Sequence, residues 1–96
     1  MKPDFGLIHN HHERAVYEEI GQRAAEHPHL ARNDDLMGDV ACVALNRLPP
    51  RYIRHSVDLA FFTTERERAN TAREVAESVD FAFGYVQARH AMAARR

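Results

Sequence analysis

Val16, Ile20 and Ala24 recur at a spacing of four, with Glu18, Glu19, Gln22 and Arg23 between them, which predicts an amphipathic first helix. Asn10 has the right side chain for its N-cap, and Glu13 three residues later completes an arrangement analogous to a capping box. Residues 1–9, with Pro3, Gly6 and a short Phe5-Gly6-Leu7-Ile8 cluster, read as an extended lead-in. Pro28 predicts a stop near His27 and a loop from His27 to Arg32. Asn33, Asp34 and Asp35 supply cap candidates and negative charge for the start of a second helix. Its apolar face runs through Leu36, Val40, Val43 and Ala44 into Leu45 and Leu48, the most apolar stretch in the chain, so this helix is expected at the centre. Pro49 and Pro50 end it in a stiff extended or turn conformation.

From Arg51 to Phe62 the pattern does not decide between a loop, one helical turn and an edge strand. Thr64 then resembles an N-cap with Glu67 at the box position, and no proline follows. Ala72, Ala76, Val79, Phe83, Val86, His90 and Ala93 alternate spacings of four and three, with Val75, Ala82 and Met92 widening the stripe. The expected fold is all-α, a single domain over residues 1–96 with three principal helices, the last one long. That last stripe exceeds what two short helices can cover, so a homodimer is expected along it.

Composition narrows the class. Of 96 residues 45% are apolar and 28% charged, the ordinary globular range, and no apolar run is long enough for a membrane span. No signal-peptide pattern is present, so a cytoplasmic protein is expected, with no membrane partner. The single Cys42 lies in an apolar helical pattern and reads as a small hydrophobe. A net charge of −1 argues against holding DNA by counterion release. Arg47, Arg51 and Arg54 nevertheless fall close together with no acidic residue among them, a patch suited to a small anion, although charge alone favours a solvated basic turn.

Catalytic and metal chemistry have little footing. His9, His11, His12, His27 and His29 cluster near the helix ends, but no two histidines stand four apart on one helix and no His-Glu-x-x-His occurs, so no metal site is expected. His90 on the apolar stripe reads as a satisfied, partly buried histidine. Ser56, Ser78 and Cys42 lack a nucleophile context, adjacent carboxylates such as Glu18 and Glu19 face different ways, and the four glycines form no phosphate loop. An enzyme is therefore the least supported class.

What stands out is Leu45-Asn46-Arg47-Leu48-Pro49-Pro50-Arg51-Tyr52. Leu45 and Leu48 share a face, so Asn46 and Arg47, displaced by roughly 100° and 200° around the helix, point elsewhere. A cation in the last turn suits the helix dipole, Asn46 can cap carbonyls, and Tyr52 can pack. Those separate roles leave unexplained why two arginines, an amide and a tyrosine surround a rigid Pro-Pro corner.

Asp39-Val40, followed by Ala44-Leu45-Asn46-Arg47-Leu48-Pro49-Pro50-Arg51-Tyr52, resembles the signature of the late-competence ComFB family, and Asn10-x-x-Glu13, the chain length and the long last helix fit it as well. The resemblance covers most of residues 8–90, with only the central motif specific. It implies an all-α fold, a tendency to dimerise, links to competence, motility or cell-surface behaviour, and recognition of cyclic dinucleotides, above all cyclic di-GMP. Some members carry a zinc-suited cysteine cluster before the Asp-Ile/Val position; here residues 29–38 contain no cysteine, so zinc is not carried over and no cofactor is expected.

The ligand site expected on this reading comprises Asn46, Arg47, Pro49, Pro50, Arg51 and Tyr52. Arginine offers planar charge for two phosphates and a fork for a guanine edge, Tyr52 a face for a base, and the prolines prior order. Cyclic di-AMP stays open as a second ligand. The downstream protein is not named by the sequence, and the alternative function is that of a structural or adaptor protein without a nucleotide ligand.

Overall fold

Thirty residues of unbroken helix organise the chain. A computed structural model describes residues 2–94, with the backbone alone at positions 58 and 62; Met1 of the lead-in lies outside the described residues. The order is β1 (His9–Asn10), α1 (His12–Arg23), a 3-10 turn (Ala24–Glu26), α2 (Pro28–Ala31), α3 (Asp34–Arg47), β2 (Tyr52–Ile53), α4 (Ser56–Phe62) and α5 (Glu65–Ala94). The all-α expectation holds, with α1, α3 and α5 as the three principal helices and α2 and α4 as short additions.

Two predicted caps are formed. Asn33 accepts from the Leu36 amide at 3.1 Å, opening α3 with Asp34 and Asp35 in its first turn. Thr64 and Glu67 make a reciprocal box: Thr64 Oγ1 accepts from the Glu67 amide at 3.1 Å, and Glu67 Oε2 accepts from the Thr64 amide at 3.4 Å.

The core is a layer in which α5, α3 and α1 each touch the other two, while α2 packs on α3. Val16 and Ile20 of α1, Val40 and Ala44 of α3, Leu48, and Val75, Val79, Ala82, Phe83 and Val86 of α5 are buried together, with Leu30 of α2 closing one end. On α5 the covered residues all fall between 75 and 86, and length explains this. At 1.5 Å per residue α1 and α3 reach about 18 and 21 Å, against about 45 Å for α5. Ala72, His90 and Ala93, predicted on the stripe, therefore emerge exposed beyond the core. Phe83, by contrast, is wholly inside the single chain, stacked on His27 with ring centroids 4.3 Å apart. The stripe's middle is spent within one chain and is not free for a second copy.

Three further expectations are corrected, and one segment left open is settled. Asn10 does not cap α1 in a box with Glu13: its backbone pairs in β1 with Tyr52, so the helix begins only at His12. His27 to Arg32 is not a loop, because Pro28 occupies the first position of α2, where its missing N–H costs nothing, and Leu30 is buried. Cys42 is exposed, lying two residues from both Val40 and Ala44 and so about 200° around α3 from the buried side. Residues 51–62 form a two-residue strand followed by the seven-residue α4.

The molecule measures 51 × 38 × 20 Å, with a radius of gyration of 15.7 Å, above the roughly 12–13 Å of a compact chain this long. The excess follows from α5, which outruns α1 and α3 at both ends of its buried stretch; in α4 Leu59 is buried while Val57 is exposed. No described helix is long and apolar enough to cross a membrane.

Candidate functional site

Pro49 forces the end of α3. A residue before proline is driven out of the α region, and Leu48 is extended at φ −93° and ψ 136°. Its side chain is nonetheless buried, so the core anchors the approach to the corner. Neither proline offers an N–H, which makes the Arg51 amide the first donor after the turn. Asn10 takes it: its Oδ1 accepts from Arg51 at 3.2 Å and from the His12 amide, also at 3.2 Å. The His11 amide donates to the Arg51 carbonyl at 2.7 Å, and the antiparallel register pairs Asn10 with Tyr52 and His9 with Ile53. One buried amide side chain thus joins the start of α1 to the exit of the corner.

The six residues expected at the site are placed around this corner but not on one surface. Pro49, Pro50 and Arg51 border a cleft of 660 Å³ between α1, α4 and the beginning of α5; Asn46, Arg47 and Tyr52 do not line it. Asn46 is exposed and has no hydrogen-bond partner among the described residues. Tyr52 is 67% exposed. Arg47 turns to α5 instead, its guanidinium carbon 3.8 Å from the centroid of the Phe81 ring. Phe81 in turn stacks on Tyr85 at 5.9 Å and 23°.

Electrostatics set the corner arginines apart from Arg14 and Arg23. Among the described residues Arg47, Arg51 and Arg54 have no carboxylate within ion-pair distance, whereas Arg14 pairs with Glu18, and Arg23 with Glu19 and Asp80. Burial, then the neighbouring His12, Arg51 and His9, hold the His11 pKa below the ordinary imidazole value. The same lining carries Glu18, Glu19, Glu67 and Glu74 together with Arg68, and Glu18 and Glu19 are already paired with Arg14 and Arg23. Arg51, without a carboxylate partner among the described residues, is the cleft's group best placed to receive an anion. His12 also lines the cleft, 8% exposed, with its Nδ1 buried and unpartnered among the described residues.

Sequence reasoning missed Asn10 as a corner residue, His11 and His12 as cleft walls, and Phe81 as the partner of Arg47. Phe81 had one visible signal, an aromatic side chain off the apolar stripe. A second groove, 450 Å³ between α3 and α5, brings Cys42 near Asp39, Arg89 and His90. Among the described residues no group of three or more His, Cys, Asp or Glu side chains is arranged to hold a metal ion.

Fold and site together define a small helical protein built around a basic Pro-Pro corner that connects its central helix to its long last one. The chain matches the family model described as late competence development protein ComFB over residues 9–90, and it belongs to that family. Membership points to a competence-related role. No curated protein and no solved structure gives a match.

Proposed function

We propose that this chain is a non-catalytic cytoplasmic receptor for a cyclic dinucleotide, cyclic di-GMP first and cyclic di-AMP second, and that it signals through a protein partner. The observation that carries the reading is the set of unpaired arginines around a pinned corner. Arg47, Arg51 and Arg54 have no carboxylate among the described residues to compete with an incoming phosphate, and the Asn10 bridge and the two prolines hold Arg51 and Tyr52 in place beforehand, which lowers the entropy lost on binding. Tyr52 offers an open ring to a base.

Titration calorimetry with both cyclic dinucleotides is the test. Arg47→Ala and Arg51→Ala are each expected to weaken binding roughly ten- to a hundredfold, since a charged hydrogen-bond partner contributes about 1.5–3 kcal/mol. No heat with either ligand, or full affinity in the double variant, sinks the proposal.

The adaptor reading keeps one specific support, the exposure of Tyr52, Val57, Phe81 and Tyr85. It expects no nucleotide to raise the melting temperature, whereas a true ligand at a hundredfold excess over its dissociation constant adds about 2.7 kcal/mol.

A homodimer belongs to the same proposal, with its interface moved from the spent stripe to α4, where a second copy covers the exposed Val57. Light scattering is expected to give twice 11.0 kDa for the parent and the single mass for Val57→Glu. A parent that stays monomeric across the micromolar range removes the dimer.

A further inference from the structure

Arg47 ends α3, and its charge there is explained by the helix dipole, but its direction is not. The side chain lies over Phe81 of α5, and a guanidinium carbon 3.8 Å from a ring centroid stands above the ring face rather than beside its edge. Phe81 and Tyr85 are 43% and 46% exposed, aromatic surface that the core does not use. Tyr85 stacks behind Phe81 and restricts it in turn.

We infer that Phe81, backed by Tyr85, holds Arg47 as the floor of a purine-stacking subsite on the α3–α5 surface, with one base of the ligand lying on the outer face of the guanidinium. This rests on the cyclic-dinucleotide reading and adds to it a subsite outside the cleft.

A guanidinium is planar and has two faces. On this proposal Phe81 lies against one and a purine takes the other, leaving the N–H edges for a phosphate oxygen or a guanine O6/N7 edge. A solvated arginine samples many rotamers; one already laid on a ring loses less freedom when the ligand arrives. Lysine supplies the charge without the plane, so charge alone does not reproduce the subsite. Phe81 is a positioning residue that acts through Arg47, and the base touches Arg47.

The test is calorimetry of the full chain with cyclic di-GMP, comparing the parent with Phe81→Leu, Phe81→Tyr and Arg47→Lys, alongside NMR of the Arg47 side-chain protons. Phe81→Leu is expected to weaken binding about three- to thirtyfold, and Phe81→Tyr to restore it. Arg47→Lys is expected to bind worse than the parent although its charge is kept. In the free parent the Arg47 protons carry a ring-current shift that Phe81→Leu abolishes, and ligand adds a second shift from the base. Phe81 lies off the core face, so these variants are expected to stay folded, with melts only a few degrees below the parent's. A parent that binds while Phe81→Leu retains its affinity, or while the Arg47 protons ignore the ligand, overturns the subsite and leaves the receptor standing. A parent that binds no cyclic dinucleotide overturns both.

Discussion

Phe83→Ala is expected to lose about 3–5 kcal/mol of folding stability, the largest loss we expect from any single side chain here. Phe83 is fully buried and lies on the α5 face between Val79 and Val86, within the cluster that joins α5 to α3 and α1. It also has a second duty. The near-parallel stack on His27, 8° between planes, fastens the connection between α1 and α2 onto α5. Truncation therefore removes apolar contact from the core and releases that connection at once. For a chain whose whole stability is on the order of 5–10 kcal/mol, such a loss leaves a marginal fold at 37 °C. Urea or thermal melts followed by helicity measure it, with Ala72→Ser, outside the core, as the neutral control. A Phe83→Ala melt within a degree or two of the parent contradicts this account of the core.

The second large effect is expected at Asn10. Its Oδ1 satisfies two backbone donors, His12 N–H in a buried setting and Arg51 N–H in a partly buried one. Asn10→Ala leaves both without that acceptor, at a cost of about 2–3 kcal/mol, since an unmade buried hydrogen bond costs more than a made one contributes. Asn10→Asp is the informative partner: it keeps the acceptor and places negative charge at the start of α1, where the helix dipole favours it. Its melt is expected close to the parent's, well above that of Asn10→Ala. Equal melts for Asn10→Ala and the parent mean that the amide does not hold the corner.

The legible parts of this fold are those whose signals are local and periodic. Val16 and Ile20, Val40 and Ala44, and Val79, Phe83 and Val86 repeat at helical spacing because each helix buries one side. The Asn33 cap and the Thr64–Glu67 box needed only neighbours three residues away. The turns of α2 and the pairing of β1 with β2 have no such signal, since a single helical turn or a two-residue strand persists only through what it packs against. Asn10 shows the difference most clearly. Its side chain suits a helix cap, and it does accept from the amide two residues on, but its second partner lies across the fold. The site divides in the same way. The Pro-Pro corner and its arginines can be read from the chain, whereas the turn of Arg47 toward Phe81 and of Arg51 toward the cleft depends on how α3 meets α5 and α1.

The Asn10–Arg51 hydrogen bond spans 41 positions of sequence. Closing so long a loop is entropically unfavourable before anything lies between its ends, so the bridge forms only after α1 and α3 have already met. The hydrogen bond that pins the corner is thus among the late contacts of the fold. Until the helices are assembled, the Pro-Pro turn stands without the Asn10 acceptor that fixes the Arg51 amide.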